Sequence, residues 1–263
     1  MRKAYTGAYI FHLDDSGKAY SAELTRGAKH LLFPAAYRGK PVTCIWASET
    51  GPENRDDVQE LTVPEGITSL EGPLLECFPS LQRISLPKSL TYISADCISG
   101  CHRLAEINAD SESTCFKTVE GHLLSKDGSV FIKAAPARLG THFTLPTGVE
   151  KVADRAFEGC RELLTLTLPE AVVEIGSAAF ASCTSLKRIT LPTGLKQIGS
   201  LAFSYCTALE RITLPKAVAQ VGYHLFFHTG KALHVTCEAD CAAPGWDDDW
   251  SEGVNFITWG TAR

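Results

Sequence analysis

The chain has 263 residues, of which 44% are hydrophobic and 21% charged, and this balance excludes an intrinsically disordered or collagen-like protein. Its 30 acidic and 25 basic residues give a net charge of −5, which does not favour nucleic acid as a partner. No apolar run approaches the roughly eighteen residues of a membrane-spanning helix. We therefore expect a globular chain that neither inserts into a membrane nor binds nucleic acid.

The first twelve residues bear on the compartment. Arg2, Lys3 and Thr6 interrupt the apolar residues before the core of a signal peptide forms. As written, the sequence predicts a cytoplasmic protein. The alternative is a cell-surface or secreted protein, if the sequence belongs to a longer or processed chain.

A 23-residue period runs from Leu61 to about Thr236. Prolines mark its register at Pro64, Pro87, Pro146, Pro169, Pro192 and Pro215. Asp110 takes the proline position in one unit, and a 13-residue insertion accounts for the longer interval before Pro146. Self-similarity at such a period indicates a solenoid.

Each unit follows the pattern Leu-x2-Ile-x-Leu-Pro-x2-Val-x2-Ile-Gly-x2-Ala-Phe-x2-Cys. The Ile-x-Leu-Pro segment predicts one short strand per unit, and therefore one parallel sheet. The Ala-Phe-x2-Cys segment predicts a short helical turn on the other side, with its apolar residues inward. Stacking then predicts one buried column of Phe157, Phe180 and Phe203 and another of Cys160, Cys183 and Cys206.

The ten cysteines contain no Cys-x-x-Cys pair that would indicate a zinc site. Rigid parallel stacking points the periodic cysteines in one direction, which is a poor geometry for a disulfide. They are therefore predicted to be buried free thiols, which favours a reducing compartment.

The insertion spans about residues 115–136. Apolar residues alternate on both sides of Asp127-Gly128, a pair typical of a two-residue hairpin turn. The sequence therefore predicts an inserted β-hairpin, and a hairpin that protrudes would widen a contact surface.

Strand alternation identifies the residues on the open side of the predicted sheet. Those two before the proline position form a ladder rich in threonine, at Thr62, Ser85, Asn108, Thr144, Thr167, Thr190 and Thr213. Those four before it are Glu60, Arg83, Glu106, His142, Thr165, Arg188 and Arg211. The early charges alternate in sign, whereas Arg188 and Arg211 repel one another unless an acidic group is supplied. The predicted partner-binding face is therefore His142, Thr165, Thr167, Arg188, Thr190, Arg211 and Thr213.

Catalytic signatures are scarce, and no cofactor is predicted. His224 and His228 are four residues apart, a spacing that suits zinc if both lie on one helical face. If the two histidines bind a metal ion, the alternative function is that of a metal-dependent enzyme or regulator. Trp246, Trp250 and Trp259 follow the last unit, where they either stack on sugars or seal the open end of the core.

The repeated Leu-x2-Ile-x-Leu-Pro and Ile-Gly-x2-Ala-Phe-x2-Cys segments resemble the BspA-like bacterial leucine-rich repeats, over about residues 58–235. The resemblance implies a curved, right-handed, mostly β solenoid of the α/β class, usually displayed on bacterial surfaces and used for binding rather than catalysis. It divides the chain into an N-terminal hairpin and degenerate first repeat (1–57), repeats (58–236) and a tryptophan-rich cap (237–263).

The prediction for function is thus a non-catalytic, monomeric scaffold that binds another protein. A cell-surface adhesin that binds a glycan or host ligand is the alternative with the same fold.

Overall fold

The structure, a computed structural model, describes residues 2–6, 9–13, 19–24, 29–33, 35–37, 40–46, 55–75 and 78–260. Its contacts divide the chain into two compact units, residues 1–126 and residues 127–263. Each unit is a mostly β solenoid.

The described residues of unit 1 form short strands and a 3-10 helix at Arg55–Asp57. Its strands are β1 (Arg2–Thr6), β2 (Tyr9–Leu13), β3 (Ala19–Leu24), β4 (His30–Leu32), β5 (Ala36–Tyr37), β6 (Lys40–Pro41), β7 (Cys44–Trp46), β8 (Glu60–Thr62), β9 (Ser69–Glu71), β10 (Arg83–Leu86), β11 (Tyr92–Ile93), β12 (Glu106–Ala109), β13 (Phe116–Val119) and β14 (His122–Ser125). One sheet runs β1-β2-β3-β7-β9-β11 and is parallel from β3 onward. A second, fully parallel sheet runs β4-β8-β10-β12.

Unit 2 repeats this two-sheet plan with greater regularity. Its elements are β15 (Val130–Lys133), α1 (Pro136–Leu139), β16 (His142–Thr144), β17 (Lys151–Val152), β18 (Thr165–Thr167), β19 (Glu174–Ile175), β20 (Arg188–Thr190), β21 (Gln197–Ile198), β22 (Arg211–Leu214), β23 (Gln220–Val221), β24 (His234–Cys237), β25 (Gly245–Trp246) and β26 (Phe256–Trp259). The even-numbered strands form one six-stranded parallel sheet. The odd-numbered strands pair in parallel in a second sheet.

The predicted solenoid with one Ile-x-Leu strand per repeat is confirmed, but two details need correction. The prediction of a single parallel sheet is wrong. In the repeats of unit 2, the Ile or Val that precedes the glycine of the repeat pattern forms a second short strand together with the residue before it. Glu174 and Ile175, for example, pair in register with Gln197 and Ile198.

The predicted helical turn at Ala-Phe-x2-Cys is the second correction. Its residues form turns in which Arg155 and Gly159 have positive φ angles of 54° and 71°. These angles direct alternate amide groups to the next repeat, so that the Phe157 amide donates to the Ala179 carbonyl at 2.7 Å. The Ala156, Glu158 and Cys160 amides donate instead to carbonyls three residues earlier in the same turn. The backbone of the turn is therefore satisfied partly within the repeat and partly by the next repeat.

A column of phenylalanine rings forms the core of unit 2, as predicted. Its members are fully buried and comprise Phe131, Phe157, Phe180, Phe203 and Phe226. Adjacent rings are stacked, with centroids 4.8 to 5.8 Å apart. The regular repeat thus supplies both the apolar area and the ring geometry that stabilise a core.

The predicted thiol column is also confirmed. Cys160, Cys183 and Cys206 are buried and free. The Cys183 thiol donates to the Phe157 carbonyl and the Cys206 thiol to the Phe180 carbonyl, each at 3.1 Å. Cysteine therefore fills a small apolar site and satisfies a carbonyl of the preceding repeat.

We expect these thiols to resist alkylation in the folded protein. Burial raises the pKa of the Cys206 thiol to about 12, so its reactive thiolate at pH 8 is roughly a thousandfold scarcer than that of an ordinary cysteine. Mass-spectrometric timing of iodoacetamide labelling should show the exposed Cys241 reacting first. Unfolding in guanidinium should bring the two rates together, and equal rates in the native protein would contradict the burial.

The predicted insertion contains an antiparallel hairpin. Strands β13 and β14 pair antiparallel. They are joined by Glu120-Gly121, with φ angles of 50° and 83°, as a type I′ turn requires. The predicted turn at Asp127-Gly128 follows β14, and Gly128 has a positive φ of 90° there.

Candidate functional site

The outward side of the even-numbered sheet in unit 2, hereafter the ladder face, presents two columns of side chains. The leading column holds the first residue of each strand, namely His142, Thr165, Arg188, Arg211, His234 and Phe256. The threonine column lies two residues further along each strand and comprises Thr144, Thr167, Thr190, Thr213, Thr236 and Thr258. All twelve are exposed or half-buried, whereas the residues between the columns point into the core or are partly buried.

A cavity of about 730 Å³ opens on this face. Arg188, Thr190, Arg211 and Thr213 line it, so the structure brings together four of the seven residues predicted for the partner-binding face. The other three, His142, Thr165 and Thr167, lie on the neighbouring strands β16 and β18.

The two arginines of the cavity are directly opposite one another in the pairing of β20 with β22. Both side chains are exposed, and among the described residues no carboxylate lies within 4.0 Å of either guanidinium group. Two cations thus lie side by side, and neither forms an ion pair with a carboxylate in the described part of the chain. Like charges directly opposite in a sheet are unfavourable unless another group offsets them.

Unit 1 provides an internal comparison at the same repeat position. Arg83 pairs in register with Glu60 and Glu106, and its guanidinium forms an ion pair with the Glu60 carboxylate. His30 adds a second contact to that carboxylate at 3.3 Å. The alternating charges predicted there do pair internally, so stacking of these strands does not itself require like charges.

Glu210 and Glu238 also line the cavity. Glu238 occupies the proline position of its repeat. It follows the leading-column residue of that repeat by four positions, a distance of about 13 Å along the strand direction. Its carboxylate accepts a hydrogen bond from the Lys216 amide at 3.1 Å. Glu210 precedes Arg211 in the chain but forms no ion pair with it in the described structure.

The C-terminal end of both columns was not predicted from the sequence. His234 and Thr236 continue the 23-residue count from Arg211 and Thr213, and this count would have found them. Phe256 and Thr258 come one residue early, which places them outside the strict period. The His234 and Phe256 rings are stacked, with centroids 4.6 Å apart and planes at 7°.

The metal-site hypothesis assumed that His224 and His228 lie on one helical face, and the structure corrects this. Both residues belong to a turn and have positive φ angles of 51° and 54°. The His224 Nδ1 contacts the Glu252 carboxylate, whereas the His228 ring stacks on Tyr205 with centroids 5.1 Å apart. Within the described ranges, no three His, Cys, Asp or Glu side chains are placed to hold a metal ion.

The tryptophans after the last repeat differ in exposure. Trp246 and Trp250 are buried, and the Trp250 ring lies edge-on to Phe226 at the end of the phenylalanine column, 6.3 Å between centroids. Trp246 Nε1 donates to the Val218 carbonyl at 3.0 Å. Trp259 is partly exposed on β26.

The fold, the repeat and the column geometry define a leucine-rich repeat protein. The model of the BspA type leucine-rich repeat region matches in six copies, over residues 53–122 and 139–243, and the chain belongs to this family. No curated protein matches the sequence. Nor do the described residues include a helix with the length and apolar character needed to cross a membrane.

Solved structures share the fold at low sequence identity. The pneumococcal vaccine antigen PcpA is 17% identical with a TM-score of 0.61, over 90% of this chain and 82% of that one. A leucine-rich cell surface protein from Faecalibacterium prausnitzii is 18% identical with a TM-score of 0.59, over 100% and 96%. A leucine-rich repeat protein from Eubacterium ventriosum is 18% identical with a TM-score of 0.54, over 98% and 84%.

Proposed function

We propose that the protein is a non-catalytic scaffold that binds another protein through the ladder face of unit 2. The observation that carries this proposal is the pair Arg188 and Arg211, which lie in register beside a cavity and form no ion pair with any carboxylate of the described residues. A partner carboxylate supplies the missing counter-ion. Repeat proteins commonly use such extended surfaces for binding.

The regular spacing of the two columns supports an extended contact. Successive strands present equivalent side chains about 4.8 Å apart, so hydroxyl and charged groups recur along the stacking direction. The threonine hydroxyls both donate and accept hydrogen bonds. An extended partner segment can therefore meet several of them in turn.

The surface adhesin remains the second candidate function. Two proteins of similar structure, a pneumococcal vaccine antigen and a leucine-rich cell surface protein, favour it. Both candidates use the same fold, and the free thiol column suits a reducing compartment. Thiol titration of the unreduced protein purified from its native source separates them, because an exported protein is expected to have oxidised its accessible cysteines.

Charge reversal at the arginine pair tests the proposed function. The double variant R188E/R211E should retain the melting temperature but lose most of the protein captured from a source extract at moderate salt. R161E/K231E is the matched control, since both residues are exposed in turns that precede ladder strands and lie outside the cavity. Equal capture by wild type and R188E/R211E would show that the ladder face is not the binding surface.

A further inference from the structure

We infer that the ladder face recognises a peptide segment in which a carboxylate side chain and an aromatic side chain lie about three residues apart. The carboxylate binds between Arg188 and Arg211, and the aromatic ring packs on His234 and Phe256. This inference rests on the proposed function, whose partner it specifies.

The arginine pair is suited to a carboxylate. Strands β20 and β22 place the two residues about 4.8 Å apart, so both guanidinium groups reach a single group bound between them. Guanidinium donors form paired, parallel hydrogen bonds with the two oxygens of a carboxylate. One carboxylate thereby removes the repulsion between the cations and gains hydrogen bonds to each.

The aromatic half of the site is the stacked pair of His234 and Phe256. The Phe256 side chain is 49% exposed, although every earlier member of the leading column is polar. Its ring and the exposed His234 ring together form an aromatic platform on the same face as the arginines. A further ring packed on this platform buries apolar area and gains aromatic stacking.

Register fixes the separation of the two halves. Arg211 pairs with His234, and His234 pairs with Phe256, so Arg211 and Phe256 are two strand spacings apart, or about 10 Å. In a polyproline II conformation, residues i and i+3 lie on the same face of the peptide about 9 Å apart, whereas a β-extended peptide would turn them to opposite faces. A single sugar residue with one carboxylate is too small to bridge the two halves, which favours a peptide over an acidic monosaccharide.

Short synthetic peptides test the inference without a known partner. Fluorescence anisotropy should detect binding of Glu-x-x-Phe or Phe-x-x-Glu peptides to the wild-type protein, and at least tenfold weaker binding of the Gln-x-x-Phe and Glu-x-x-Ala counterparts in the same orders. The protein variant R188Q/R211Q should abolish the preference for Glu over Gln. The variant Phe256→Ala should abolish the preference for Phe over Ala while the preference for Glu persists.

Control variants and salt separate this site from general charge attraction. R161Q/K231Q should bind the Glu-x-x-Phe peptide like wild type, and raising the salt concentration should weaken the Glu preference more than the Phe preference. The inference is overturned if R188Q/R211Q binds that peptide with wild-type affinity. It is also overturned if an oligosaccharide of uronic acids binds and no peptide does.

Failure of this inference is distinguishable from failure of the proposed function. If R188E/R211E loses its captured protein but none of the acidic-aromatic peptides binds, the scaffold function stands and the specified motif is wrong. If wild type and R188E/R211E capture protein equally and the peptides do not bind, both proposals are wrong.

Discussion

Replacing Phe180 by alanine is expected to lower the free energy of unfolding by about 3 to 5 kcal/mol. The ring is fully buried and stacked between Phe157 and Phe203, with centroids 5.4 and 5.3 Å away. Its removal loses the transfer free energy of the side chain and leaves a cavity. The neighbouring rings cannot close that cavity, because the hydrogen bonds between repeats fix the turns that carry them.

Chemical denaturation measures this loss, and Phe256→Ala provides the matched control. The same atoms are removed there from a ring that is 49% exposed, so the expected loss is below about 1 kcal/mol. A loss of that small size at Phe180 would contradict the buried column. A similar loss in both variants would show that the two rings have similar environments.

The 23-residue period predicted the core because inward positions are constrained by their neighbours in the stack. Phe157, Phe180 and Phe203 occupy one repeat position, and stacking places that position at the same depth in every turn. The second sheet could not be predicted in the same way. Its strands, such as Glu174–Ile175, are two residues long, whereas alternation becomes a signal only over about four to eight residues.

The positive φ angles of the turns escaped prediction for a different reason. Ala178, Leu201 and His224 share one repeat position and all have positive φ, yet none is the glycine that usually marks this conformation. The hydrogen bonds between successive turns hold these residues in place. A sequence pattern records side chains, so a backbone conformation stabilised by the neighbouring repeat leaves no direct trace in it.

The candidate site was predicted from position alone, by counting back from the proline to Arg188 and Arg211. The sequence could not show that the cavity forms there or that Glu210 makes no ion pair with Arg211. Phe256 escaped because its strand lies 22 rather than 23 residues after the previous one. Counting in steps of 23 residues therefore locates the central strands of the ladder face but not Phe256 on its last strand.

The second large effect on stability is expected at the glycine of the Ile-Gly pair. Gly176, Gly199 and Gly222 share one repeat position, and none has a positive φ. Instead, each packs closely against the preceding turn. A β-carbon at Gly199 would lie 2.7 Å from the carbonyl carbon of Gly176, which is closer than β-carbons in proteins approach other atoms.

Gly199→Ala should therefore lower the free energy of unfolding by about 3 kcal/mol, the upper part of the range for overpacked cores. The clash is with backbone, so relief requires the two turns to separate and weakens their hydrogen bonds. Gly194→Ala is the matched control, because the nearest atom to its β-carbon would be the Glu170 carbonyl oxygen at 3.9 Å, and we expect a change within about 0.5 kcal/mol. If denaturation midpoints show equal losses in both variants, the glycine is not required by close packing of the repeats.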